Sequence, residues 1–155
     1  MEKKELEEKI VSYMKEHKVC HLATGHYESP AAHTLHYFNK GLDIYFTTAD
    51  KTEKMKHINA NPHVGLTIDE PADDWNKIKG IQLKGKAEIV SQKIRPVVKE
   101  AFEKKFPFIK ELGGVPDHHV FVKVSPEKIY FLDYSRGLGK REIFNVERKR
   151  SLLNW

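Results

Sequence analysis

Residues 79–90 alternate with period two: Ile81, Leu83, Ala87 and Ile89 fall on one side, and Gln82, Lys84, Lys86 and Glu88 on the other. Successive strand residues point to opposite faces, so the run reads as a long strand with one buried face and one wet or interfacial face. Half-wet sheets are antiparallel, because parallel ones are covered on both sides. The rest of the chain offers partners. Residues 19–24, 31–38, 42–48 and 63–69 read as strands, the first three joined by turns at 25–30 and 39–41 into an antiparallel meander. Residues 120–124 and 128–133 read as two more.

Helical spacing appears three times. Leu6, Ile10, Tyr13 and Met14 form one apolar face over residues 2–17. A second helix over 51–60 stops at Asn61–Pro62, where the residue before proline is pushed out of helical geometry. A third, near 96–105, carries Val97, Val98, Ala101 and Phe102 and is broken by Phe106-Pro107-Phe108. Residues 71–76 read as an acidic loop carrying Trp75. Strands grouped around few helices, without strand–helix alternation, argue for an α+β chain: a small antiparallel barrel of about six strands with flanking helices.

Length and composition narrow the function. At 155 residues, residues 1–155 read as a single domain. Hydrophobic residues make up 39% and charged ones 32%, and no apolar run approaches the roughly 20 residues of a membrane helix. The densely charged first residues do not resemble a signal peptide, and the lone Cys20 fits a reducing compartment, so the expected location is cytoplasmic. A net charge of +5 is spread along the chain apart from Arg148-Lys149-Arg150, without a helix-turn-helix, zinc-knuckle or aromatic RNA-binding motif, which argues against a nucleic-acid partner.

Catalysis by side chains finds no pattern: no Gly-x-Ser-x-Gly elbow or carboxylate pair is present, Cys20 reads as a core thiol, and no catalytic residue is assigned. The nine histidines lack zinc-site spacing or cysteine company, so no metal is expected; His33 and His36 should face opposite sides of their strand. The chemistry concentrates where residues 44–48 run into the helix over 51–60. Asp50 as N-cap with Glu53 three residues on resembles a capping box, placing backbone N–H groups at a helix N-terminus that attracts anions. Thr47, Thr48 and Thr52 add hydroxyls and Lys51 and Lys54 add charge, the equipment for holding a phosphate monoester.

The order Tyr-Phe-Thr-Thr, Lys54, Asn61-Pro62 and a following strand resembles the pyridoxamine 5'-phosphate oxidase-like FMN-binding split-barrel family over residues 18–90. Gly80-Ile-Gln-Leu-Lys-Gly85, Lys105-Phe-Pro107 and Ile129-Tyr-Phe-Leu-Asp-Tyr-Ser-Arg-Gly-Leu-Gly-Lys-Arg141 resemble its YhbP-like branch and extend the likeness to about residue 144. The resemblance implies a split barrel and a homodimer with FMN in grooves between subunits. It implies flavin contacts from His33, Thr34, Leu35 and His36, ribityl-phosphate contacts from Thr47 and Thr48, a phosphate clamp of Lys51, Thr52 and Lys54, and Gln82 reaching over from the partner. Trp75 as a pocket roof, and the basic, glycine-rich residues 135–141 as a cover over the phosphate or a substrate, are further expectations.

The implied activity is that of an oxidoreductase or flavin reductase acting on a small molecule, with a nicotinamide nucleotide as donor; a non-catalytic flavin or haem binding or storage protein is the alternative. Departures bound the likeness. Glu53 stands where pyridoxine phosphate oxidases carry an arginine, Ala31-Ala32-His33 replaces an arginine opening the second strand, and the terminal Arg-x-His motif is missing. Pyridoxal-forming activity is therefore not implied.

Overall fold

A computed structural model describes residues 1–147; the basic run 148–150 lies outside them. The chain runs α1 (Lys3–Glu16), β1 (Val19–His26), β2 (Ser29–His36), β3 (Phe38–Lys40), β4 (Asp43–Ala49), α2 (Glu53–Ala60), β5 (His63–Asp69), β6 (Lys79–Ile89), α3 (Arg95–Lys105), α4 (Phe108–Glu111), β7 (His119–Asp133) and β8 (Arg141–Asn145). Single 3₁₀ turns cover Trp75–Lys77 and Tyr134–Arg136.

All pairings are antiparallel, in the order β2-β1-β5-β6-β7-β4-β3. The two ends of that path, β2 and β3, are separated in sequence by Tyr37 alone. A flat sheet cannot join its own outermost strands through one residue, so this sheet curls back on itself as a barrel. Tyr37 is fully buried at the seam, its N–H donating to Lys18 O at 3.0 Å and its hydroxyl to Met14 O at 2.7 Å. Strand β7 carries the split: one side pairs with β6 along almost its whole length, while the other pairs first with β4 and then with β8.

Three expectations need correction. The meander of residues 19–48 is two hairpins, because β2 pairs with β1 while β4 pairs with the three-residue β3 around Gly41, whose φ of +57° suits glycine. The strands read over 120–124 and 128–133 are one strand, β7. Its Ser125-Pro126 step resembles a break, but the ladder absorbs it in a bulge where Lys84 faces Lys128, Gly85 faces Pro126, and Glu127 has no opposite number. A Cβ on Gly85 would lie 2.4 Å from Ser125 O, so the bulge requires glycine. Among the described residues the sheet also has eight strands where about six were expected; β3 is short, and β8 buries only Phe144.

The face predicted for α1 (Leu6, Ile10, Tyr13 and Met14) is the one buried, joining the main core with Leu22, Ile44, Phe46, Leu66, Leu83 and Val122. A second core of Phe38, Tyr45, Val98, Phe102, Phe106 and Phe121 lies beneath α3. Strand β4 feeds both, Ile44 and Phe46 into the first and Tyr45 into the second. In β6, Ile81, Leu83 and Ala87 point inward as read, whereas Ile89 is exposed: the strand ends there and Val90 turns into the second core. Cys20 is fully buried, and burial pushes its thiol up to about 12 against the opposing pull of Lys105, as befits a packed side chain.

Candidate functional site

The junction between β4 and α2 builds a small cradle of donors. Thr52, not Asp50, caps α2: its Oγ1 accepts from Met55 N at 3.4 Å and donates to Ala49 O at 3.3 Å. Asp50 and Lys51 form the turn leaving β4, which shifts the cap two residues beyond the expected capping box. Thr48 faces inward at the end of β4 and is buried, and Lys54, in the first turn of α2, donates from Nζ to Thr48 Oγ1 at 3.1 Å. A strand end and a helix start are thereby tied through one amine and one hydroxyl.

Beside this contact lies a polar group set into the barrel wall. Thr24 sits at the buried parity of β1, two residues beyond Leu22, and its Oγ1 is 2.8 Å from His57 Nδ1 and 3.1 Å from His33 Nε2. A hydroxyl with one proton can serve both rings only if at least one of them donates to it. His57 lies on the buried face of α2 with Met55 and Ile58. His33, half-buried on β2 opposite Leu22, titrates below the ordinary histidine range because of burial, with Lys54 and His57 adding to the effect and Glu53 opposing it.

Across the sheet, His119 of β7 stands opposite Ala49 in the β4–β7 register, on the face that Thr47 and Phe121 share and not on that of Thr48, and among the described residues its buried Nδ1 has no hydrogen-bond partner. Such an atom bears a desolvation cost of about 1–3 kcal/mol unless a ligand or water meets it. Burial lowers the His119 pKa, helped by His118, Arg95 and Lys54 and opposed by Asp50. Arg95, opening α3, donates from Nη2 to His119 O at 3.0 Å, with its guanidinium 5.3 Å from the Phe121 ring centre. Lys54 thus acts electrostatically on His33 and His119 alike, and the junction is a cationic, donor-rich corner.

Of the residues read from sequence, His33, Thr48, Thr52 and Lys54 come together here. Thr47 faces the other way, donating to Val120 O at 2.9 Å, and Lys51 is exposed. Leu35 packs against the main core. Thr34 and His36 are exposed on the opposite face of β2 from His33, His36 with its ring centre 4.9 Å from that of Phe106. Gln82 is also exposed and shares a cross-strand row with Thr34: Thr34 faces His21, His21 faces Thr67, and Thr67 faces Gln82. The predicted set therefore divides between a cradle at the end of β4 and a polar row across β2, β1, β5 and β6.

Two expected covers lie elsewhere within the chain. Trp75 is 72% exposed. Arg136, Lys140 and Arg141 line a cleft of about 390 Å³ against Glu5, Glu8 and Glu16 of α1, at the far end of β7 from Thr48. Thr24, His57, His119 and Arg95 were not read from sequence as site residues. A histidine on the apolar face of α2 and a threonine at the buried parity of β1 were the available signals.

A model of the pyridoxamine 5'-phosphate oxidase family matches residues 6–133. General stress protein 26 of Bacillus subtilis is 28% identical over 89 residues, covering 57% of this chain and 63% of that protein, under two-thirds of its length. Solved structures share the fold. The haem storage protein HutZ of Vibrio cholerae superposes with a TM-score of 0.70 at 16% identity, over 81% of this chain and 94% of that one. A FAD-binding protein of Mesorhizobium loti gives 0.65 at 18%, over 78% and 89%.

Proposed function

Because the chain belongs to the pyridoxamine 5'-phosphate oxidase family, we propose that it is an FMN-binding flavoprotein whose phosphate cradle is the β4–α2 junction. The observation that carries this is the Lys54–Thr48 contact at the first turn of α2. An amine, a hydroxyl and the first N–H groups of a helix are the donors a phosphate monoester accepts from. Lys54 would exchange Thr48 for phosphate oxygens, and the Thr24–His57 contact would fix the wall that carries His33. Glu53 opposes the anion, and Arg95 is held on the other face of the sheet by His119 O and the Phe121 ring.

Gln82 and Thr34 lie on the polar row, with β7 between Gln82 and the cradle strand β4. Along β7, Gln82 stands opposite Tyr130 and Thr48 opposite Val120, about 33 Å apart, so a flavin held by the cradle would meet Gln82 only from a partner subunit, the homodimer of the resemblance. Bound FMN supplies hydride or one-electron chemistry at its ring, and the protein supplies position, polarity and exclusion of water. The activity proposed is reduction of a small acceptor at the expense of a nicotinamide nucleotide. Pyridoxal formation is not proposed, because the arginines and the Arg-x-His motif that the resemblance calls for are missing.

Titrating the protein with FMN and with riboflavin, which lacks the phosphate, tests the cradle through quenching of flavin fluorescence. FMN should bind at least about a hundredfold more tightly, since two charge-assisted hydrogen bonds at about 1.5–3 kcal/mol each are at stake. Equal affinity would overturn the assignment. A second reading, haem binding or storage, rests on the fold shared with HutZ and on the exposed histidines His21 and His36. A Soret band in the purified protein would favour it.

A further inference from the structure

A groove of about 500 Å³ lies on the flank of the barrel between the end of α1, β3 and α3, lined by Lys15, Phe38, Asn39, Lys40, Ala101, Lys104 and Lys105. Its charge has one sign. Four lysines line it, a fifth, Lys18, acts on Lys105 from the α1–β1 link, and no carboxylate is part of the lining. Phe38 and Ala101 supply an apolar floor, the Phe38 ring stacking on Tyr45 with centres 4.9 Å apart and planes 7° from parallel. Among the described residues, Lys15, Lys104 and Lys105 have no carboxylate within 4.0 Å.

Lys105 is the anchor. It leaves the last turn of α3, its Nζ donates to His17 O, and the same nitrogen lies 4.3 Å from the Tyr37 ring centre. A carbonyl and a ring face each favour a cation, yet burial and Lys18 outweigh them, with Cys20 opposing, and bring the amine down to about 8. Clustering like charges around a half-buried amine costs stability unless an anion completes the group.

We propose that this groove is a second ligand site, which takes a small organic anion with an apolar body, an aromatic or aliphatic phosphate or carboxylate, its charge against Lys105, Lys104 and Lys15 and its body on Phe38 and Ala101. Nothing in this assignment depends on flavin at the β4–α2 junction. Arriving negative charge favours the ammonium form of Lys105, so binding near pH 8 takes up protons. The titratable groups around that amine are Lys15, His17 and Lys18 before β1, Cys20 on β1, Tyr37 and Lys40 around β3, and Lys104 on α3.

The test is calorimetric titration of the full chain with phenyl phosphate at low salt, in the Lys54→Met background so that the flavin cradle does not compete. One site per chain is expected, with affinity lost by about tenfold or more in Lys105→Met and unchanged in Lys86→Ser, a lysine on the outer face of β6. Benzyl alcohol, which has the ring without the charge, should give no saturable heat. Titrations at pH 8 in buffers of different ionisation enthalpy should differ by the heat of net proton uptake. Absence of saturable binding, equal losses in Lys105→Met and Lys86→Ser, or buffer-independent heats would each overturn the site. Failure here leaves the FMN reading intact, and loss of FMN binding in Lys54→Met leaves this one intact.

Discussion

Replacing Thr24 by valine keeps the shape of the side chain and deletes one hydroxyl. That hydroxyl is met by His57 Nδ1 at 2.8 Å and His33 Nε2 at 3.1 Å, so two ring nitrogens lose a partner. The two losses differ. His57 is 5% exposed, and a buried ring nitrogen left without a partner bears the full desolvation cost of about 1–3 kcal/mol. His33 is half-buried and can turn to water, so its share is near zero. The new methyl, buried where Thr24 is 4% exposed, returns part of the loss, up to roughly 0.8 kcal/mol. The net expectation is destabilisation of about 1–2 kcal/mol, a fall in melting temperature of roughly 2–8 °C for a chain of this size. Urea unfolding with a common m-value for both proteins measures it, and Thr24→Ser, which retains the hydroxyl, should recover most of the difference. A Thr24→Val protein at least as stable as the parent would refute the claim that this hydroxyl satisfies the buried ring.

Three further outcomes are expected. Lys54→Met and Thr48→Val should each weaken FMN binding by about tenfold or more with folding intact, read by flavin fluorescence; unchanged affinity in both would remove the cradle. Gly85→Ala should cost about 3 kcal/mol or more in urea unfolding, because its Cβ would sit 2.4 Å from one backbone oxygen and 3.0 Å from Pro126 Cα; a loss below about 1 kcal/mol would mean that the β6–β7 bulge relaxes freely. Lys105→Met should be more stable than the parent at pH 7. The folded pKa of Lys105 lies below its unfolded value, so its burial penalty is full below about 8 and disappears as pH rises through 10.5. The advantage of methionine should therefore shrink between pH 8 and 10.5, and an advantage independent of pH would refute the electrostatic cause.

What the sequence made legible follows from what is periodic in it. Strands β5 and β6 and helix α1 carry uninterrupted alternation or a clean helical stripe, and their buried faces match those patterns through Ala87. Strand β8 escaped because four of its five residues stay at least partly exposed and only Phe144 marks the inward face. The single β7 escaped because Ser125-Pro126 has the composition of a turn, and the bulge that accommodates it depends on Gly85, forty residues earlier in the chain.

The site divides in the same way. Thr48 and Lys54 are six residues apart across one strand–helix junction, so a local reading joined them. Thr24, His57 and His119 meet that junction only through the β1–β2 and β4–β7 registers and the packing of α2, and nothing in the linear order marks their convergence. Gln82 was legible as a wet strand residue, and its place on the polar row with Thr34 emerged only from the order of the strands. Lys105 was read as part of a family likeness, and the lysine-lined groove it anchors depends on how α3 lies against β3.

Whether the β4–α2 junction holds FMN is read from a visible spectrum: the purified protein is mixed with FMN, freed of unbound ligand by gel filtration, and scanned. A flavin spectrum at about one FMN per chain is expected, lost in the Lys54→Met, Thr48→Val double variant. A colourless protein, or a Soret band in place of flavin absorption, would contradict it.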